Sequence, residues 1–261
     1  MYADKNKGKR KMSLDKIYDG MPDIFKTMWR FRKQKNITAY TKNGTVLFEN
    51  GLTRKICDSY EKDYFSQYGQ DAFCTNYIFH RKKGGFFIDV GANHPLKFNN
   101  TAYLEKELGW SGLAFEPQKE LANLWKKERQ TECVPVALGK SEEKIKFYRD
   151  GDCGDSCYMK SGKSFKPRRE SYFVRQKRLQ DILDQRKIAV VDFMSIDVEG
   201  YELEVLKGVD LQKTHISCIL LENEERRVKK CRETRQFLFE NGYDLFARLT
   251  GDDVFVKGKI L

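Results

Sequence analysis

The chain has 261 residues and carries 49 Lys and Arg against 38 Asp and Glu, a formal net charge of +11. Hydrophobic residues make up 40% and aromatic residues 13%, which is enough to bury a core and excludes a disordered chain. The positive charge is concentrated, because residues 1–35 and 160–187 each carry a net charge of +7. Two basic patches on a nearly neutral body indicate anionic partners at particular surfaces and exclude an acidic solvating protein.

Hydropathy and cysteine usage both indicate an intracellular location. No apolar run approaches the ~20 residues that a membrane helix needs, and the charged start predicts no signal peptide. The seven Cys are scattered, and Cys153 and Cys157, the closest pair, complete no zinc site, so we expect reduced thiols. The sequence predicts a cytoplasmic protein, and its basic N-terminus leaves open a peripheral contact with the inner face of the membrane.

Residues 1–63 form a basic, lysine-rich N-terminal extension to a main domain at residues 64–261. The extension is only weakly periodic, apart from an apolar stripe at residues 24–31 that predicts a short amphipathic helix. This helix either packs its apolar stripe on the main domain or docks on an acidic membrane surface or partner, and we expect the packing.

From residue 66 onward, apolar runs of strand length alternate with helical segments. In chain order the prediction is strand 86–90, helix 101–108, strand 113–115, helix 119–129, strand 133–138, strand 190–196, strand 216–221 and helix 229–240. The chain then closes on a hairpin with strands at 243–249 and 254–256. This alternation predicts a parallel sheet covered on both faces. Residues 149–170 interrupt it as a long loop rich in Gly, Ser and basic residues.

Acidic residues stand at the carboxyl ends of the predicted strands, where ligands bind in an open α/β sheet. The residues at these ends are Asp89, Gly91, Glu116, Asp197, Glu199 and Glu222. The first turn has Gly91 but not the further glycines of a pyrophosphate-binding loop, which disfavours a nicotinamide dinucleotide. Glu116 is placed to accept hydrogen bonds from a ribose diol, which predicts a nucleoside-containing cofactor.

Asp197 and Glu199 project to one side of an extended chain. Two such carboxylates repel each other unless a cation, a proton or a bound ammonium group separates them. The amino group of a cofactor, a substrate hydroxyl or Mg²⁺ could each play that part. If the ion is Mg²⁺, Asp197, Glu199 and Glu222 are its candidate ligands.

Three segments of the sequence together resemble the FkbM family of S-adenosylmethionine-dependent methyltransferases. They are Phe87-Ile88-Asp89-Val90-Gly91-Ala92-Asn93, Phe115-Glu116-Pro117, and residues 195–208 with Ser195-Ile196-Asp197-Val198-Glu199-Gly200-Tyr201-Glu202. The resemblance covers roughly residues 64–257. It implies a class I methyltransferase (Rossmann-like) fold, in which a seven-stranded, mostly parallel sheet has helices on both faces and a C-terminal antiparallel hairpin. It also implies O-methylation, commonly of a sugar hydroxyl of a surface glycan, as in polysaccharide biosynthesis, or of a hydroxyl on a natural product.

The same resemblance implies where the cofactor binds. The cofactor-binding residues are then Asp89, Gly91, Asn93, Glu116, Gln118, Ala137 and Asp197. Of these, the first three border the methionine end of S-adenosylmethionine, Glu116 binds the ribose, and Gln118 and Ala137 flank the adenine. Asp197 and Glu199 border the methyl-transfer site.

The catalytic base has three candidate assignments. The segment His94-Pro95-Leu96-Lys97 departs from many relatives, and His94 is the one histidine at the carboxyl edge of the sheet. His94 is therefore a candidate base that Asp197 and Glu199 would orient. Alternatively, one of the two carboxylates is the base, or bound Mg²⁺ acidifies the hydroxyl. A capping or packing role for His94 beside Pro95 is also open.

Lys97, Arg168 and Arg169 are the candidate acceptor-binding residues. We expect the basic loop to order over an anionic saccharide acceptor, such as a nucleotide- or lipid-pyrophosphate-linked sugar, with both arginines on phosphate. The alternative is a solvated linker. The net charge of +11 keeps open an RNA ribose 2′-O-methyltransferase, and a non-catalytic cofactor-binding scaffold is a third possibility. The sequence gives no oligomeric state.

Overall fold

The structure is a computed structural model that describes residues 39–42, 45–48, 53–55, 64–148, 171–223, 228–249 and 251–258. All of them belong to one compact unit that spans residues 36–261. The amphipathic stripe predicted at 24–31, the pair Cys153 and Cys157, and the loop residues Arg168 and Arg169 lie outside the described residues.

From residue 66 onward the described secondary structure alternates strands and helices as the sequence predicts, except over residues 132–177, where the described elements are all strands. The strands are β1 (Ala39–Lys42), β2 (Thr45–Phe48), β3 (Thr53–Lys55), β4 (Phe86–Val90), β5 (Ser111–Phe115), β6 (Glu132–Val134), β7 (Ala137–Leu138), β8 (Glu143–Tyr148), β9 (Ser171–Lys177), β10 (Val190–Ile196), β11 (His215–Glu222), β12 (Tyr243–Leu249) and β13 (Asp252–Lys257). The helices are α1 (Gln70–Phe73), which continues as a π-helix over Cys74–Ile78, α2 (Ala102–Leu108), α3 (Lys119–Glu128), α4 (Leu179–Arg186), α5 (Glu202–Leu206) and α6 (Val228–Glu240). Within the described part of the chain, every helix is too short or too polar to cross a membrane.

The main sheet has the strand order β3-β2-β1-β12-β13-β11-β10-β4-β5-β6. Neighbouring strands from β6 through β5, β4 and β10 to β11 are parallel. The last strand, β13, lies between β11 and β12 and is antiparallel to both. The strands β4–β6 and β10–β13 therefore form the predicted seven-stranded class I methyltransferase sheet, and the antiparallel C-terminal hairpin is confirmed.

The central strands are buried because both faces of the sheet are covered. In β10, Val191 and Phe193 are completely buried, and Ile216 and Ile219 in β11 are equally inaccessible. Burial of each such side chain stabilises the fold by about 1.5–3 kcal/mol. Two-sided burial explains why these strands are continuous apolar runs in the sequence.

The strand predicted at 133–138 is in fact two strands in different sheets. Strand β6 ends at Val134 in the main sheet, and β7 begins at Ala137 in a second sheet with the order β7-β9-β8. Pro135 separates them, because a proline has no N–H to donate to a strand neighbour. The second sheet brings the antiparallel strands β8 and β9, which the sequence analysis missed, into this part of the fold, and β8 lines the same cavity as the carboxyl ends of the main sheet.

Part of the predicted N-terminal extension is strand. Strand β1 pairs in parallel with β12, with Ala39 opposite Ala247, and β2 and β3 continue the sheet beyond it. The helix predicted at 24–31 and the domain boundary after residue 63 stay predictions.

Candidate active site

A cavity of about 550 Å³, a size typical of small-molecule sites, opens at the carboxyl ends of β4, β5, β10 and β11. It lies where the strand order reverses between β4 and β10, the usual place for a ligand in such a sheet. The cavity is lined by every predicted site residue that the structure describes: Asp89, Gly91, Asn93, His94, Lys97, Glu116, Gln118, Ala137, Asp197, Glu199 and Glu222. Residues more than 100 positions apart in the chain therefore meet at one site.

The turn after β4 is shaped by Gly91. Its φ angle is +73°, and a Cβ atom at this position would lie 1.8 Å from the carbonyl oxygen of Asp197. The backbone N–H of Asp197 donates to the carbonyl of Val90 at 2.9 Å, which fixes this close approach of the β4 and β10 ends. A side chain at residue 91 would therefore separate the two strand ends and fill the floor of the cavity.

Glu116, at the end of β5, is almost completely buried and held by backbone donors. Its Oε2 atom accepts a hydrogen bond from the N–H of Asn93 at 3.0 Å, and its Oε1 atom accepts one from the N–H of Gln118 at 2.8 Å. The carboxylate is therefore fixed in orientation and is suited to bind a diol.

Asp89, at the end of β4, is also buried and held by donors. Its Oδ2 atom accepts hydrogen bonds from the Thr101 hydroxyl at 2.7 Å and from the Asn99 amide at 3.0 Å. Burial raises the pKa of Asp89, while the Thr101 hydrogen bond, the Arg129 charge and the Asn99 hydrogen bond act in the opposite direction. These contacts fix the carboxylate at the floor of the cavity.

Apolar residues of the second sheet form one wall of the cavity. Ala137 and Leu138 of β7 line it together with Ile145 and Phe147 of β8. The last two residues were missed in the sequence, although the alternation of Lys144-Ile145-Lys146-Phe147 is typical of a half-buried strand. This wall suits the flat face of an aromatic base.

A family model described as the methyltransferase FkbM domain matches residues 89–245, more than half of the chain. The chain belongs to the FkbM methyltransferase family. The match runs from the carboxyl end of β4 into β12 and therefore includes all four strand ends that form the cavity. This FkbM protein is an S-adenosylmethionine-dependent methyltransferase.

Two solved structures show only distant similarity to this FkbM chain. The METTL16 MTase domain is 12% identical, with 92% of this chain and 93% of that chain covered and a TM-score of 0.41. A SAM-dependent O-methyltransferase from Thermotoga maritima is 13% identical, with 83% and 78% covered and a TM-score of 0.39. None of the curated protein sequences compared with the chain matches it.

The cavity of the FkbM domain fits S-adenosylmethionine. The close backbone approach at Gly91 leaves room for the methionine part, the fixed Glu116 carboxylate can accept the ribose hydroxyls, and the wall that includes Phe147 suits the adenine. When bound, the cofactor supplies an electrophilic methyl group on a sulfonium. We call the part of the cavity around Asp89 and Glu116 the cofactor end.

A second part of the cavity, which we call the carboxylate end, contains Asp197, Glu199 and Glu222. Glu199 has a φ angle of +56° and is followed by Gly200 at +101°. A non-glycine residue in this left-handed region costs of order 1–3 kcal/mol and persists only where surrounding structure imposes it. The turn after β10 is therefore strained where it lines the cavity.

Asp197 is exposed to solvent, and its carboxyl group lies among the side chains that line the cavity. Burial raises the pKa of Asp197 well above its usual value, and the negative charges of Glu222, Asp252, Glu199 and Glu202 raise it further. Water in the cavity partly screens these charges. The pKa of Asp197 is nevertheless raised, because all four carboxylates act in the same direction. Asp197 therefore holds a proton more readily than an ordinary aspartate does.

The geometry of His94 disfavours its predicted role as the base. Its Nδ1 atom accepts hydrogen bonds from the backbone N–H groups of Leu96 at 3.1 Å and Lys97 at 3.0 Å. In a neutral imidazole one nitrogen accepts and the other carries the proton, so these bonds assign the proton to Nε2. The lone pair that a base needs is then engaged by the backbone, which matches the capping role left open in the sequence.

The structure gives no support to the predicted Mg²⁺ site at Asp197, Glu199 and Glu222. Over residues 64–148, 171–223, 228–249 and 251–258, no group of three or more His, Cys, Asp or Glu side chains is arranged to hold a metal ion. The described cysteines, Cys74, Cys133, Cys218 and Cys231, are buried and free of disulfides.

Sequence analysis missed several residues that shape the site. Phe98 lines the cavity and exposes 57% of its surface, and Asn99 and Thr101 hold Asp89. Their place in the sequence, just after Lys97, could have indicated them, because the loop that follows the first strand of such a sheet borders the ligand site. Arg129 gave no such signal, since only the folded chain brings it to this loop.

Proposed function

We propose that the enzyme transfers the methyl group to a hydroxyl of a saccharide. The observation that carries this proposal is that the carboxylate end and an exposed aromatic ring line the same cavity. Phe98 exposes its ring in a left-handed backbone conformation with a φ angle of +57°, which is rare for a bulky residue. A sugar presents hydroxyls that donate to carboxylates and C–H faces that pack on an aromatic ring.

Asp197 is the proposed base for this reaction. A sugar hydroxyl is a very weak acid, so a base that accepts its proton during transfer contributes about 10²–10⁴-fold to the rate. The raised pKa of Asp197 moves it toward the pH at which such a base works best. Glu199 and Glu222 stabilise the proton on Asp197, because their negative charges oppose its loss.

The anionic part of the acceptor is proposed to stay outside the cavity. Among the described residues that line it, Lys97 is the one Lys or Arg, while Asp89, Glu116 and the three residues of the carboxylate end are acidic. A phosphate inside would be repelled by these carboxylates. Arg168 and Arg169, which follow from the sequence alone, remain the proposed contacts to a phosphate outside the cavity.

The proposal is tested by incubating the full-length chain with S-adenosylmethionine carrying a labelled methyl group. Separate reactions contain methyl glycosides, nucleotide-linked sugars, lipid-linked saccharides or RNA oligonucleotides. We expect label in a saccharide, strongly reduced by Phe98→Ala and retained by Phe98→Tyr. Transfer to RNA alone, with a steep salt dependence, or transfer to no saccharide contradicts the proposal.

A further inference from the structure

Arg129 is a buried charge with no assigned role. It directly follows helix α3, and its side chain is 0% exposed. Arginine is almost never fully buried unless it is paired, since loss of hydration is costly. Burial lowers the pKa of Arg129, and Glu105 is the main opposing charge. The buried guanidinium of Arg129 therefore requires contacts that compensate for its lost hydration.

Most of these contacts go to one loop. We call residues 91–101 the site loop, because it connects β4 to α2 and supplies one side of the cavity. The Nη1 atom of Arg129 donates to the Pro95 carbonyl at 2.8 Å and to Oδ1 of Asn99 at 3.2 Å. Its Nη2 atom donates to the carbonyl and the hydroxyl of Thr101, both at 3.3 Å. One guanidinium thus contacts the site loop at three residues.

These contacts continue to the cofactor end of the cavity. Asn99 and Thr101, which accept from Arg129, are the same two residues that donate to Asp89. The guanidinium carbon also lies 4.6 Å from the centre of the Trp125 ring, and the indole N–H of Trp125 donates to the Asn93 carbonyl at 2.8 Å. Arg129 is therefore one contact away from two residues predicted to bind the cofactor.

Backbone strain in the site loop gives an independent reason for such an anchor. Asn93 and Phe98 both have left-handed φ angles, +45° and +57°. Strained residues persist only where surrounding contacts over-determine the backbone. The contacts of Arg129 to Pro95 and Asn99 lie on either side of Phe98 and supply that constraint.

We propose that Arg129 is a positioning residue, which holds the site loop in the conformation that binds S-adenosylmethionine without touching the cofactor itself. The planar guanidinium suits this role, because it presents five donors in a fixed geometry, whereas a lysine ammonium is a compact point charge. The inference rests on cofactor binding alone and is independent of the saccharide proposal.

The chain offers a matched control on the other side of the same guanidinium. The Nε atom of Arg129 donates to Glu105 at 2.9 Å, and Glu105 also accepts hydrogen bonds from the Gln130 N–H and the Thr131 hydroxyl. None of these contacts involves the site loop. Glu105→Gln therefore weakens the buried ion pair while it leaves the contacts to Pro95, Asn99 and Thr101 in place.

The test measures S-adenosylhomocysteine affinity by calorimetry, and urea unfolding, on the full chain with Arg129→Met, Arg129→Lys and Glu105→Gln. We expect Arg129→Met to weaken binding by roughly tenfold or more, Arg129→Lys to fall between it and the parent, and Glu105→Gln to stay within about threefold. A purely structural role predicts instead that affinity follows stability in all three variants.

Two results overturn the proposal: parental affinity, within about threefold, in Arg129→Met, or equal weakening by Arg129→Met and Glu105→Gln. If Arg129→Met yields no folded protein, Arg129→Lys decides. Binding weakened by more than about threefold then supports the proposal, and parental binding overturns it.

Discussion

The carboxylates at the two ends of the cavity have opposite surroundings: hydrogen-bond donors at the cofactor end and further negative charges at the carboxylate end. At the cofactor end, Glu116 accepts two backbone amides, and Asp89 accepts two side-chain donors near the Arg129 charge. At the carboxylate end, Asp197 is surrounded by further negative charges that raise its pKa. Protein donors hold the two carboxylates at the first end, whereas at the second end neighbouring carboxylates concentrate negative charge around Asp197.

The same contrast occurs between two neighbouring residues of β13. Burial raises the pKa of Asp252 to about 6, although a hydrogen bond from Gln70 and the charge of Arg248 oppose this. Asp253 is completely buried, yet the charges of Arg248 and Arg235 outweigh burial and lower its pKa. Asp252 lies opposite Glu222 on the neighbouring strand, and its negative charge contributes to the raised pKa of Asp197 at the carboxylate end. Because Asp253 is ion-paired, its ionised form stabilises the fold, whereas the ionised form of Asp252 destabilises it.

The largest expected effect comes from removing the close approach on which both ends depend. Gly91→Ala should abolish S-adenosylhomocysteine binding and destabilise the fold by about 3 kcal/mol or more, from left-handed strain and overlap with the Asp197 carbonyl. Calorimetry and urea unfolding measure the two effects. Gly109→Ala is the control, because its φ angle is also positive but no atom lies within 4 Å of the added Cβ. Equal losses in both variants would show that the overlap is irrelevant.

The next effect separates the two ends. Asp197→Asn should lower kcat by about 10²–10⁴-fold on a saccharide acceptor, because the base is removed. His94→Gln, the comparison variant, should retain most activity, since Nδ1 of His94 is engaged by backbone amides. Steady-state kinetics, measured after cofactor binding has been confirmed for both variants, decides whether Asp197 or His94 is the base. Near-parental activity in Asp197→Asn together with loss in His94→Gln would restore the histidine as the base.

Glu116→Gln tests the cofactor end alone. We expect S-adenosylhomocysteine to bind about tenfold to a hundredfold more weakly, because a charged acceptor for the ribose hydroxyls is lost. Glu120→Ala, at an exposed position of α3, should leave the affinity unchanged. Calorimetric affinity equal to that of the parent in Glu116→Gln would refute the ribose assignment.

The smallest effect is on the pH dependence of stability. A carboxyl with a raised pKa in the folded state favours folding when protonated, and this contribution is lost as the pH rises through the folded pKa. Asp252→Asn should therefore stabilise the protein by about 1–3 kcal/mol near pH 8 and by nearly nothing near pH 4. Asp253→Asn should destabilise near pH 8, because its contribution is present above the ordinary aspartate pKa and is lost on acidification. Urea unfolding at both pH values measures these changes. The same change in the free energy of unfolding for both variants would contradict the difference between Asp252 and Asp253.

The sequence predicted those parts of the molecule that depend on local pattern. Continuous apolar runs predicted β10 and β11, and an acidic residue after a run predicted the positions of Glu116 and Asp197 in the cavity. The sequence failed where distant contacts decide. Pro135 divides one apolar run between two sheets, and Arg129 reaches the site loop only through the packing of α3.

We expect the positive charge of S-adenosylmethionine to favour loss of a proton from Asp197, whose pKa is raised by burial and by the neighbouring carboxylates. Calorimetric titration with S-adenosylmethionine in buffers of different ionisation enthalpy, between about pH 5.5 and pH 8, measures the protons released on binding. We expect net release that is greater for S-adenosylmethionine than for S-adenosylhomocysteine, which has no sulfonium charge, and a much smaller difference in Asp197→Asn. Binding of both cofactors with no proton release across this pH range would contradict the claim.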